Sequence, residues 1–241
     1  MTLVKERQLL PNDMREPFDP AAYYHVYNRG VDKRNIFEDP ADVQRFYNSL
    51  YLLNDEDYKH PGTLLEKEAL ISAAGMLAYG RNTHVSIVAF CLMRNHFHLL
   101  LKATVPGGIS KFLHKLEMSY SKGFNERYER TGALFEGAFK AKPVDYEEHL
   151  QLLPRYIHLN ALDGTSSHWR EGQTPDWKLA EKNLEAHHWS SHSAYARSEQ
   201  DLPVIDMNIV RKWFPTAAEY DAYLRTPTVY GSEDPTFAIR P

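Results

Sequence analysis

Two histidines, His96 and His98, flank Phe97 in the apolar stretch His-Phe-His-Leu-Leu-Leu. In a β-strand alternate residues share a face, so both imidazoles project to one side, about 7 Å apart at Cα and close enough to hold one divalent ion. Phe97, Leu99 and Leu101 form the other face, which is wholly apolar and should meet helices. The spacing alone is a weak signal, because twelve histidines in 241 residues produce roughly half of one such pair by chance. A hairpin setting strengthens it, since two imidazoles buried without partners would be costly.

A metal beside an activated hydroxyl suggests transesterification, and a tyrosine that attacks a DNA phosphodiester keeps the bond energy as a phosphotyrosine. Fifteen tyrosines compete for that role. Tyr120 follows the histidine strand, but at about 100° per residue it falls on the stripe of Ile109, Leu113, Leu116 and Phe124, which is a core face. Lys111, Lys115 and Lys122 occupy the opposite side, as a solvated face or a stripe that binds a nucleic-acid backbone. Tyr156 precedes Asn160 by four residues, so the two share one helix face and could meet the same ion as nucleophile and oxygen ligand. Equally, Tyr156 could pack and Asn160 could cap the helix C-terminus. His158, turned about 200° from both, faces away.

These residues need a scaffold. Tyr23–Tyr27 reads as a strand closed by Asn28-Arg29-Gly30, and Asp39-Pro40 opens a helix carrying Val43, Phe46 and Leu50. Val85–Met93 reads as a central strand, Asn95 as a turn, and His96–Lys102 as the returning hairpin partner. Pro106-Gly107-Gly108 precedes a helix from about Ile109 to Tyr128, Leu134–Val144 reads as a strand, and a helix resumes from about Asp145 to Leu162. The order β-α-β-β-α-β predicts an α+β fold, a ferredoxin-like split βαβ antiparallel sheet. Two helices should cover one face, and the tyrosine-bearing helix the other. Residues 1–20 read as an arm, 21–163 as the catalytic domain with an insertion at about 54–82, and 164–241 as a loop-rich, aromatic appendage.

Composition is ordinary for a soluble chain, and no apolar run is long enough to span a bilayer. A single cysteine, Cys91, excludes an internal disulfide framework and suits a reducing cytoplasm. The net charge of −4 argues mildly against nucleic acid, but it hides a local excess. Residues 94–142 carry nine basic against four acidic side chains, leaving +5 there and −9 elsewhere. A chain polarised in this way can bind DNA on one face.

Four blocks, Tyr-His-Val-Tyr-Asn-Arg-Gly (24–30), Phe90–Lys102, Thr131–Lys140 and Arg155–Asn160, together with Trp189-Ser190-Ser191 and Tyr195, resemble the insertion-sequence-200-like single-tyrosine HUH transposases, most of all the REP-associated tyrosine transposases. The resemblance implies that His96 and His98 are metal ligands, Tyr156 the nucleophile and Asn160 a third ligand. It also implies cleavage and rejoining of single-stranded or hairpin DNA through a 5′-phosphotyrosine, by a nucleoid-associated cytoplasmic protein that is a monomer or homodimer. The ion expected is Mg²⁺ or Mn²⁺. Asn28, Arg29, Arg94, Asn95, Lys111, Lys115, Lys122 and Lys140 are the expected DNA contacts. The chain departs from the family pattern at Pro154 inside the tyrosine helix, Ala161 after Asn160, Ala138 in place of a basic residue, and the long 54–82 segment. The competing readings are a non-cleaving single-stranded nucleic-acid binding module and a metal-dependent hydrolase using activated water.

Overall fold

The computed structural model describes residues 18–58, 81–144, 147–163, 167–173, 176–228 and 230. The expected N-terminal arm and the helix expected within the insertion lie mostly outside these residues.

Strand β1 (Tyr23–Arg29) is rich in aromatic and β-branched side chains, and its alternation sends Tyr24, Val26 and Asn28 to one face and His25, Tyr27 and Arg29 to the other. Strands β2 (Val85–Met93) and β3 (His96–Ala103) form the hairpin, turning at Arg94-Asn95. Strand β4 is Lys140–Pro143. The sheet is antiparallel in the order β2-β3-β1-β4, the ferredoxin-like arrangement expected from the order of elements. β4 is shorter than the predicted Leu134–Val144, because Gly132 and Gly137 have positive φ and turn the chain before it. Phe135 pairs its backbone with Gly30 in an isolated bridge and packs its ring 6.0 Å from that of Phe97.

Helix α1 (Pro40–Leu52) starts where expected, with Asp39 and Asp42 in a reciprocal capping box and Pro40 in the first turn. Helix α2 (Gly108–Arg127) buries Ile109, Phe112, Leu113, Leu116, Tyr120 and Phe124. Both helices cover the face of Phe97 and Leu99. Phe46 lies 5.2 Å from Phe97 and 5.0 Å from Tyr120. Tyr120, hydrogen-bonded to the carbonyl of Ile36, is therefore core, as its helical phase predicts. The helices approach closely at Gly123, where a Cβ would collide with the Arg45 guanidinium that donates to Ser119 O at 2.8 Å.

The opposite face is covered by α3 (Glu147–Leu159), which carries Tyr156. Pro154 lies inside this helix without ending it. Residues 153–160 are all buried, which no amphipathic surface helix would allow, so α3 is enclosed on its outer side as well. Its cover comes from the C-terminal chain, for which the sequence predicts loops. Among the described residues that chain instead forms α4 (Trp177–Ala186), α5 (His192–Arg197), α6 (Met207–Trp213) and α7 (Ala217–Leu224). Arg155 Nε donates to Leu224 O at 2.8 Å, and His158 bonds Ser191 Oγ at 2.6 Å and Tyr220 Oη at 2.9 Å. The same chain runs along the free edge of β2, with backbone bridges at Cys91–Ser190 and Ile87–Ile205. An exposed strand edge is a hazard, and here it is satisfied within the chain.

Candidate functional site

β3 sets His96 and His98 on the α3 side of the sheet, opposite Arg29 and Tyr27 of β1. Their ring centroids are 5.0 Å apart at nearly a right angle, and both are buried. Each Nδ1 has a partner. Asn95 turns its Oδ1 toward His96 Nδ1 at 2.6 Å, an orientation fixed because Asn95 Nδ2 donates to Lys33 O at 3.3 Å. The proton of His96 therefore sits on Nδ1. His98 Nδ1 meets His25 Nε2 at 2.9 Å. Neither Nε2 atom has a hydrogen-bond partner, although both are buried. Each such acceptor costs about 1–3 kcal/mol when left unmade.

Both imidazoles are neutral. Burial, then the charges of Arg170 and Arg29, pushes His96 down to about 4; burial, then the competing protonation of His96 and His25 and the charge of Arg170, holds His98 well below the usual histidine range. Two neutral rings with their Nδ1 atoms engaged and their Nε2 lone pairs unspent are what a metal pair requires.

Tyr156 descends on the pair from α3, with its ring 5.9 Å from both His98 and His25. It is completely buried, packed also by Trp169 at 5.6 Å and Tyr230 at 5.2 Å. Burial raises its pKa, opposed by the charge and hydrogen bond of Arg170. Asn160, one turn on, donates its Nδ2 to Tyr156 O at 2.7 Å and so caps the helix, while its Oδ1 accepts from Arg170 Nη2 at 2.6 Å. Arg170 is itself gripped by Asp163, with Nη2–Oδ2 at 2.6 Å and a second bond from Nη1 to Oδ1.

The structure thus brings His96, His98, Tyr156 and Asn160 together, and adds His25, Asp163, Trp169 and Arg170. Alternation in β1 puts His25 on the face of Tyr27 and could have identified it. Arg170 and Asp163 follow the helix in a segment without periodicity, which carries no such signal.

The expected DNA contacts divide. Arg94 is exposed at the hairpin turn, and Lys140 is exposed opposite Tyr27 on the site's face. Arg29, paired with Glu136, lies beside His96. Asn95 serves His96. Asn28 does not fit the expected role. It points to the helix face, is 4% exposed, and spends its amide nitrogen on Glu117 and Gly137 O. Lys111, Lys115 and Lys122 belong to α2 in the other layer, so the stripe does not line the Tyr156 site. Lys115 Nζ meets His84 Nε2 at 3.0 Å and Lys111 pairs with Glu56 at 3.8 Å, near the Ala103 end of β3, roughly 23 Å along the strand from His96.

A metal here finds two fitting ligands and one that does not fit as placed. The Nε2 atoms are available, whereas the Asn160 oxygen is held by Arg170. Among the described residues no group of three His, Cys, Asp or Glu side chains could hold an ion.

Residues 75–160 match the family model described as Transposase IS200 like, a stretch that contains the histidine pair, Tyr156 and Asn160. The family that the sequence blocks resemble is thus the one whose model matches. No curated protein matches the chain. A solved structure of a REP-associated tyrosine transposase bound to a REP hairpin is similar over 81% of this chain and 90% of that one, with 11% identity and a TM-score of 0.42.

Proposed function

We infer that this chain, similar over residues 75–160 to IS200-like transposases, cleaves and rejoins single-stranded DNA through a 5′-phosphotyrosine at Tyr156. The observation that carries the reading is the meeting of a helix-borne tyrosine with two imidazoles whose buried Nε2 atoms are unpaired. One chain supplies all of these groups.

His96 and His98 would hold a divalent ion, Mg²⁺ or Mn²⁺, with Asn160 as a further ligand once its oxygen leaves Arg170. Such an ion supplies Lewis-acid polarisation of the scissile phosphate and charge neutralisation at the leaving oxygen. The rest belongs to the chain. Tyr156 Oη bonds to phosphorus and the P–O3′ bond breaks. The electron pair departs with O3′, on which the proton lost by the phenol ends. His25 and Asn95 keep the two imidazoles oriented. Trp169 and Tyr230 exclude water from the phenol, protecting the phosphotyrosine until a 3′-hydroxyl returns. Exposed Arg94 and Lys140 offer charge to the backbone on the same side of the sheet. Among the described residues no helix is long and apolar enough to cross a membrane.

The test is incubation with single-stranded hairpin DNA and Mn²⁺, followed by mapping of any covalent protein–DNA product. An adduct at Tyr156 that Tyr156→Phe abolishes is the expected result, and an adduct that survives the substitution overturns the assignment. One observation favours a second reading, a binding module without cleavage: the phenol is fully buried and Asn160 is already engaged. Metal-independent binding without any adduct would establish that reading instead.

A further inference from the structure

A guanidinium carries five N–H donors in a planar fork. Those of Arg170 are spent unevenly. Nη1 and Nη2 grip the Asp163 carboxylate, Nη2 also donates to Asn160 Oδ1, and Nε is buried without a hydrogen-bond partner. The Nε–H and the outer Nη2–H of an arginine point the same way, as a side-on pair whose spacing suits two oxygens of a phosphate. In Arg170 one prong of that pair is held by a neutral amide and the other is empty.

The location gives the empty prong its meaning. The guanidinium lies 4.2 Å from the Trp169 ring centroid and 5.7 Å from that of Tyr156. Its charge is felt by both His96 and His98. One orphaned donor and two orphaned acceptors thus cluster around one tyrosine. Asp163, with Trp169 Nε1 bonded to its Oδ1 at 3.1 Å, fixes the plane of the fork.

We propose that Arg170 is a catalytic residue whose side-on N–H pair takes non-bridging oxygens of the phosphate attacked by Tyr156, with Asp163 as its positioning residue. This rests on the nuclease reading above. A phosphate oxygen arriving at Nη2 displaces Asn160 Oδ1, because an anionic acceptor adds a charge–charge attraction that the neutral amide lacks. The displaced amide oxygen would then be free to serve as a ligand to an ion held by His96 and His98.

The test uses the full chain carrying Tyr156→Phe, which leaves the nucleophile out, and follows the Nε–H resonance of Arg170 by NMR, assigned through its loss in Arg170→Lys. Titration with a hairpin DNA bearing a single-stranded extension should move that resonance in step with saturation. If other resonances saturate while Arg170 stays still, the proposal is overturned and the nuclease reading stands. If nothing moves, both are overturned. With Tyr156 restored, Arg170→Lys should slow single-turnover adduct formation by about a hundredfold, the usual effect of losing one preorganised donor, and Asp163→Asn should slow it less. DNA affinity should change only a few-fold, and an unchanged adduct rate in folded Arg170→Lys refutes the role.

Discussion

The bond between His25 Nε2 and His98 Nδ1 offers the sharpest quantitative test of the metal pair. In the tautomer that leaves His98 Nε2 open to an ion, His98 Nδ1–H donates to His25, and in His25→Leu it loses that acceptor inside a fully buried setting, since both rings are 0% exposed. An unsatisfied buried donor costs about 1–3 kcal/mol. For a chain of this size that should lower the metal-free unfolding midpoint by roughly 2–12 °C, at about 2–4 °C per kcal/mol. The loss has a second route of expression, because a freed ring can rotate or move its proton to Nε2 and spend the lone pair meant for the ion. Loss of such an outer partner typically weakens metal affinity about 10–100-fold, roughly 1.4–2.7 kcal/mol, the same range reached from the hydrogen bond alone. Mn²⁺ binding followed by electron paramagnetic resonance, with no DNA present, reads the effect directly. His25→Gln, whose amide oxygen can accept from Nδ1, should recover part of the affinity. Equal Mn²⁺ affinity in wild type and His25→Leu would refute the argument that His25 orients the pair.

Removing the charges at Arg94 and Lys140 should weaken single-stranded DNA binding and reduce the salt slope by about 0.7 for each phosphate that is no longer neutralised; Lys111→Ala with Lys115→Ala should leave that slope unchanged in the same filter-binding assay. Ser191→Ala strips the acceptor of Phe90 N at 2.9 Å and the partner of His158 at 2.6 Å, both buried. Chemical denaturation should register a loss of about 2–5 kcal/mol. Burial holds His192 neutral, its pKa pushed down to about 4, so its stabilising effect is complete above about pH 6.5. That effect fades as pH falls from about 6.5 to 4, because the unfolded chain takes up the proton first. His192→Asn should flatten this part of the stability–pH curve, and coincident curves would contradict the assignment.

The sheet and its first two helices are legible in the sequence because each is governed by a local rule. Alternation in Tyr23–Arg29 and His96–Ala103 assigns faces without any knowledge of contacts, and the Asp39-Pro40 start marks α1 by capping chemistry alone. The expected DNA contacts that lie away from the Tyr156 site share a cause. The lysine stripe of α2 has sound helical phase, but phase says nothing about which sheet face a helix covers, and the stripe lies in the other layer from Tyr156. Asn28 stands in a turn-like triplet, yet β1 continues through Arg29 and directs Asn28 to Glu117.

The candidate site itself divides along the same line. Its histidine and tyrosine half lies on regular elements, with two histidines on one strand and a tyrosine and asparagine on one helical turn, so periodicity could assemble it. Its arginine half does not. Arg170 reaches Asn160 across ten residues and Asp163 across seven, over a segment that is neither one strand nor one helix, so no periodicity links them. What joins them is a 3₁₀ turn at Asn160–Leu162 followed by another at Ser167–Arg170, geometry that few residue types encode strongly. The consequence reaches the chemistry. In sequence Asn160 suits a ligand and a helix cap equally, and the structure shows the cap made by its nitrogen while Arg170 holds its oxygen. An amide has two ends, and the arginine that periodicity could not reveal decides when the second end becomes available.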